Sequence, residues 1–114
     1  MINRQDFNDF YSEMEPEKVV MTINDYLAAY DEYIVEIRRN VEKKDFERLK
    51  YYSHKLAGVI GFFWDPDSHG AAQRFEQMAT DKTEAGLNER YEDLVKKSLL
   101  LNKELLEIKK EYLS

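Results

Sequence analysis

Two histidines, His54 and His69, are the side chains in this sequence best suited to nucleophilic or proton-transfer chemistry, and there is no cysteine. Thiolate chemistry and disulfides are therefore excluded. No Ser/His/Asp constellation is evident. A di-iron bundle needs Glu-x-x-His pairs, but Tyr51 stands three residues before His54 and Pro66 three before His69. Neither a G-x-x-x-x-G-K-[ST] loop nor a G-x-G-x-x-G loop occurs, so nucleotide binding lacks a motif. No paired carboxylates are placed in a pocket by periodicity. An independent enzyme is the weakest reading.

His54 is different. It lies mid-helix in Tyr51-Tyr52-Ser53-His54-Lys55-Leu56-Ala57-Gly58-Val59-Ile60-Gly61. The apolar stripe runs through Ser53 and Leu56, and His54 is turned about 100° from Ser53. Its own face carries Glu47, Lys50, Tyr51, Gly58 and Gly61, so the ring is expected to point toward solvent. Each glycine costs roughly 1 kcal/mol against alanine inside a helix. At i+4 and i+7 they strip side chains from the surface beside the imidazole. Imidazole is the side chain that ordinarily titrates near neutral pH, and its neutral form offers a nitrogen lone pair to phosphorus. An accessible nucleophile on a rigid helix is what a phosphoryl carrier needs. Two plainer readings stand beside this one: an ordinary surface histidine, and glycines that allow close helix–helix contact. His69 reads as a turn or surface residue.

The elements that must position His54 are helical. Hydrophobic residues are 43% and charged residues 35% of 114, a globular balance suited to one domain over residues 1–114. With 4 Gly and 2 Pro there is too little turn chemistry for a sheet protein. Spacing predicts a short helix over about Ile2–Met14 and a long one over Pro16–Lys43. In the latter Val20, Ile23, Leu27, Tyr30, Ile34, Ile37 and Val41 step by threes and fours. A third helix is predicted over Asp45–Phe63, with Asp45 as N-cap. A fourth is predicted over Ser68–Lys82, capped by Asp67 or Ser68, with Ala72, Phe75 and Ala79 inward and Met78 beside them. A fifth is predicted over Leu87–Leu113, on the stripe Leu87, Tyr91, Leu94, Ser98, Leu101, Leu105, Ile108 and Tyr112. The expected fold is all-α: an antiparallel up-down-up-down four-helix bundle with a short extra N-terminal helix across one end. Most of the 8 tyrosines fall on stripes and are expected to pack in or beside the core.

Net charge is −6 and no long basic run occurs, so nucleic acid is not expected as a partner. No stretch approaches the roughly 20 apolar residues of a membrane helix, and the N-terminus lacks the apolar run of a signal peptide. The expectation is a cytoplasmic protein with no membrane association.

The segment Ser53-His54-Lys55-Leu56-Ala57-Gly58 resembles the A-H-x-L-K-G signature of histidine phosphotransfer (HPt) domains. Asp45-Phe46-Glu47-Arg48-Leu49 is similar to the family's lead-in, and Phe75-Glu76 to its Leu-Glu pair. Helix order agrees over nearly the whole chain. The resemblance implies a monomeric bundle phosphorylated on Nε2 of His54, a carrier rather than an enzyme, with no cofactor or metal of its own. It implies receiver domains of response regulators or hybrid histidine kinases as partners. Two positions depart from the pattern. The family's Lys three residues after the His is Ala57, leaving Lys50 or Lys55 to offset phosphate charge. The family's later Gly aligns with Trp64, which either reshapes the docking surface or caps the core. With Lys50, Tyr51, Lys55, Ala57, Gly58 and Gly61 as the supporting or docking surface, three functions remain open. They are a phosphorelay intermediate, a pseudo-HPt adaptor that binds without transfer, and a structural helical interaction module.

Overall fold

The computed structural model describes residues 1–114 and contains helices and no strand. The helices are α1 (Arg4–Tyr11), α2 (Pro16–Lys43), α3 (Phe46–Ile60), α4 (Pro66–Thr80) and α5 (Leu87–Leu113), with a 3-10 turn at Gly61–Phe63 after α3. α2 packs against α3 and α5, and α4 packs against the same two, closing a helical bundle 45 × 22 × 18 Å. No helix is long and apolar enough to cross a membrane.

The stripes do the packing that their spacing implies. On α5, Leu87, Leu94, Ser98, Leu101, Leu105 and Ile108 are buried. On α2 the buried set is Val19, Ile23, Tyr26, Tyr30, Ile37, Asn40 and Val41, whereas Val20, Leu27 and Ile34 lie half-buried at its edge. The core thus extends toward Val19 and Tyr26, on the α3 side of the expected stripe. Each fully buried large side chain contributes roughly 1.5–3 kcal/mol.

Two polar contacts fix α2 against α5 inside this core. Tyr26 Oη donates to Asn102 Oδ1 at 2.7 Å, and Tyr30 Oη lies 2.8 Å from Ser98 Oγ. Ser98 gives its one hydroxyl proton to the Leu94 carbonyl at 2.6 Å, so Tyr30 is the donor in that pair. No buried side-chain nitrogen or oxygen is left without a partner.

Three helices differ in extent from the sequence expectation, α4 also ending at Thr80 and not at Lys82. α1 is shorter, because Asn3 caps it by accepting from the Asp6 N–H and the helix stops at Tyr11. α3 gives way at Gly61 to the 3-10 turn, which closes on Trp64 in the left-handed region (φ 55°). α4 begins at Pro66, not Ser68, since Asp65 is the cap and accepts from the Asp67 N–H. Proline suits the first helical position, where its missing N–H costs nothing. α2 and α5 have the expected limits, and Asp45 caps α3 by accepting from the Arg48 N–H at 3.2 Å.

α1 is tied to the α3–α4 junction. Asn3 N–H donates to the Trp64 carbonyl at 2.7 Å and Tyr11 Oη to the Phe62 carbonyl at 3.0 Å. Trp64 is half-buried, its ring 5.0 Å from that of Phe10 and edge-on to Tyr11 at 6.1 Å. Its part is therefore to close the aromatic end of the core.

Candidate functional site

α3 presents one face to the core and another to solvent. Leu49, Ser53, Leu56 and Ile60 are fully buried, and Ser53 removes its own polarity by donating to the Leu49 carbonyl at 2.6 Å. With that stripe anchored, the helical repeat swings the next residue outward. The His54 side chain is 76% exposed.

Its ring is not free to spin. Nδ1 lies 3.0 Å from Oε2 of Glu76 on α4, a carboxylate only 25% exposed. Phe75 is completely buried and fixes the phase of α4, so Glu76 follows at the rim facing α3. A carboxylate accepts; Nδ1 therefore carries the proton in this contact and the lone pair of the neutral ring falls on Nε2. Periodicity puts Glu76 beside Phe75 but says nothing of a partner 22 residues earlier. The only sequence signal for it was the Phe75-Glu76 pair.

Lys50, Tyr51, His54 and Lys55 come together in one shallow surface hollow, walled by Glu47 and Glu76. Lys50 is exposed and forms no ion pair within the chain. Lys55 is drawn elsewhere: its Nζ lies 4.9 Å from the Tyr51 ring centre and 5.9 Å from that of Tyr33. A hydrogen bond with Tyr51, and then the field of the two tyrosines, raises the Lys55 pKa above its ordinary value. Of the two lysines, Lys50 is the better placed to meet an anion on His54.

The glycines are resolved by what a side chain would touch. A Cβ at Gly58 would meet nothing within 4 Å. Close helix–helix contact therefore does not explain this glycine, and bare surface next to the imidazole is what it provides. A Cβ at Gly61 would stand 3.6 Å from His69 Nε2, an ordinary contact. His69 itself lies near the start of α4 in a separate hollow with Asn3, Asp6 and Trp64.

Ala57 corrects the sequence reading. It was grouped with the docking surface through its position in the resembled motif, but it is 6% exposed and belongs to the core cluster. Four residues after Ser53 and one after Leu56, it has the phase of the buried stripe. The exposed face thus comprises His54, Lys50, Tyr51, Lys55 and Gly58, without Ala57, while Gly61 opens on the His69 hollow.

No group of three or more His, Cys, Asp or Glu side chains is arranged to hold a metal ion. Comparison of the chain with protein-family models, with curated proteins and with solved structures yields no match.

Proposed function

We propose that this protein is a phosphorelay intermediate, a histidine phosphotransfer module that exchanges a phosphoryl group on His54 with the aspartate of a receiver domain. One observation carries the reading: an outward imidazole, held through Nδ1 by Glu76, next to a helical glycine whose Cβ position is open. The architecture that goes with it is the antiparallel up-down-up-down four-helix bundle, with α1 as the extra N-terminal helix.

In the forward step the Nε2 lone pair of neutral His54 attacks the phosphorus of a receiver aspartyl phosphate. The N–P bond forms as the acyl P–O bond breaks, and its electron pair leaves with the aspartate carboxylate. The ring becomes cationic because Nδ1 keeps its proton. Glu76, 3.0 Å away, stabilises that charge. Lys50, on the same hollow, faces the arriving phosphoryl oxygens. The reverse step returns the group to a carboxylate. The domain is a carrier in this scheme, and catalysis of the transfer belongs to the receiver.

Incubation with a receiver phosphorylated on aspartate is expected to label the wild type and leave His54→Gln unlabelled. Equal labelling of both would end the proposal. A second reading, an adaptor that docks on receivers without transfer, is favoured by the buried Ala57, which leaves Lys50 as the one unengaged cation of the hollow. A receiver complex that survives His54→Ala, with no transfer by the wild type, would select that reading.

A further inference from the structure

We propose that the outer face shared by α2 and α5 is a homodimer interface, in which a two-fold axis along the bundle sets α2 of each copy against α5 of the other. This stands apart from the phosphoryl-carrier reading, and it departs from the monomer that the family resemblance implies.

Each long helix carries a second stripe beside its core stripe, and this one is exposed along its whole length. On α2, Met21, Ala28 and Val35 recur every seven residues and alternate with the charged Glu17, Asp31 and Arg38. On α5, Leu99, Leu106 and Leu113 recur every seven residues and alternate with Glu92, Lys96 and Lys110. The heptad interval is that of a seam between helices. Large apolar side chains left in rows on a folded surface mark an interaction site.

Both stripes open on the same face. Leu99 and Leu106 stand three and four residues from Asn102, whose side chain reaches Tyr26 on α2, so they flank the α2 side of α5. On α2 the α3 side is marked by Tyr33, whose ring lies 6.4 Å from that of Tyr52. Met21, Ala28 and Val35 turn away from it. His54 and Glu76 belong to α3 and α4, across the bundle, so a dimer through α2 and α5 leaves both histidines open.

The partner follows from charge and register. Tyr26 meets Asn102 and Tyr30 meets Ser98, so α2 and α5 run antiparallel and a residue gained on one is a residue lost on the other. By that register Glu17 is within one residue of the level of Lys110, Asp31 within one of Lys96, and Arg38 within two of Glu92. Met21 is within one residue of the level of Leu106, and Ala28 within one of Leu99. A two-fold along the helices preserves level and exchanges the two elements. Met21 and Ala28 then meet Leu106 and Leu99 of the other copy's α5, Glu17 and Asp31 meet Lys110 and Lys96, and Val35 and Arg38 lie to either side of Glu92. None of the six charges has a salt-bridge partner within the chain. A standard stable interface buries roughly 800 Å² per copy, and this face runs along the 45 Å long axis of the bundle.

Sedimentation of the full chain at roughly 100 µM, two decades above a micromolar Kd, tests this. The wild type is expected at twice 13.6 kDa. Leu99→Glu with Leu106→Glu, at two exposed positions, is expected to sediment as a folded monomer with unchanged helicity. Asp31→Lys is expected to weaken the dimer about tenfold at low salt, since two symmetric pairs turn repulsive. Asp31→Lys combined with Lys96→Asp is expected to restore it. A monomeric wild type would overturn the proposal, and so would a dimer indifferent to the two leucine substitutions. A charge exchange that fails to restore association would overturn the two-fold arrangement. A wild-type monomer that co-sediments with vesicles of phosphatidylserine and phosphatidylcholine would assign the face to a membrane surface instead.

Discussion

Replacing Gly58 separates what the fold needs from what a docking partner needs. Gly58 sits inside α3 with helical backbone, and an added Cβ would touch nothing within 4 Å. Gly58→Ala therefore gains the helix propensity of alanine, roughly 1 kcal/mol, without a steric charge against it. Unfolding entropy of about 2.1 cal/mol/K per residue over 114 residues gives roughly 0.24 kcal/mol/K. The expected rise in Tm is then about 4 °C, readable by calorimetry or thermal circular dichroism. Gly58→Trp also points into open space, so it is expected to fold with a Tm near that of the wild type. In phosphotransfer it should fail, because the indole fills the bare surface beside His54. A Gly58→Ala variant less stable than the wild type would refute the claim that the glycine is unnecessary to the fold. A Gly58→Trp variant that accepts phosphoryl groups at the wild-type rate would refute the claim that the partner settles there.

Other perturbations have defined outcomes. Glu76→Gln keeps an acceptor for Nδ1 but removes the charge that stabilises the cationic ring; phosphotransfer to His54 should slow about tenfold, one charge-assisted hydrogen bond's worth of roughly 1.4 kcal/mol, with thermal stability little changed. Tyr26→Phe leaves the buried Asn102 amide without its donor; chemical denaturation should report a loss of roughly 1–3 kcal/mol. Burial pushes the Tyr11 phenol up from 10.0 to about 12. Its protonated form is thus favoured by folding, so its contribution is intact below pH 10 and is lost as pH rises from 10 toward 12. Alkaline titration of helicity should show unfolding begin in that window, and Tyr11→Phe should blunt that dependence.

The long helices were legible because their stripes repeat over more than three heptads. A single misplaced residue cannot shift the phase of α2 or α5, and Pro16 and Asp45 mark the starts of α2 and α3 by local chemistry. The exposure of His54 was legible for the same reason, since Ser53 and Leu56 fix the phase of α3. What escaped was tertiary. The cap of α4 moved to Asp65 because that carboxylate bonds the Asp67 N–H, a contest among Asp65, Asp67 and Ser68 that composition leaves open. The 3-10 turn at Gly61–Phe63 arises where α1 docks through Asn3 and Tyr11 onto the Phe62 and Trp64 carbonyls, contacts across more than 50 residues. Glu76 acquires its partner only when α4 lies beside α3. For Ala57 helical phase, not its place in a motif, decides the outcome, and that phase puts it with Ser53 in the core.

The most direct measurement is phosphorus NMR of the intact protein after exposure to a receiver domain phosphorylated on aspartate. A phosphoimidazole resonance on Nε2, absent in His54→Gln, is the predicted result. A wild type that shows no such signal with receivers that demonstrably bind it, or a signal that persists in His54→Gln, would contradict the account.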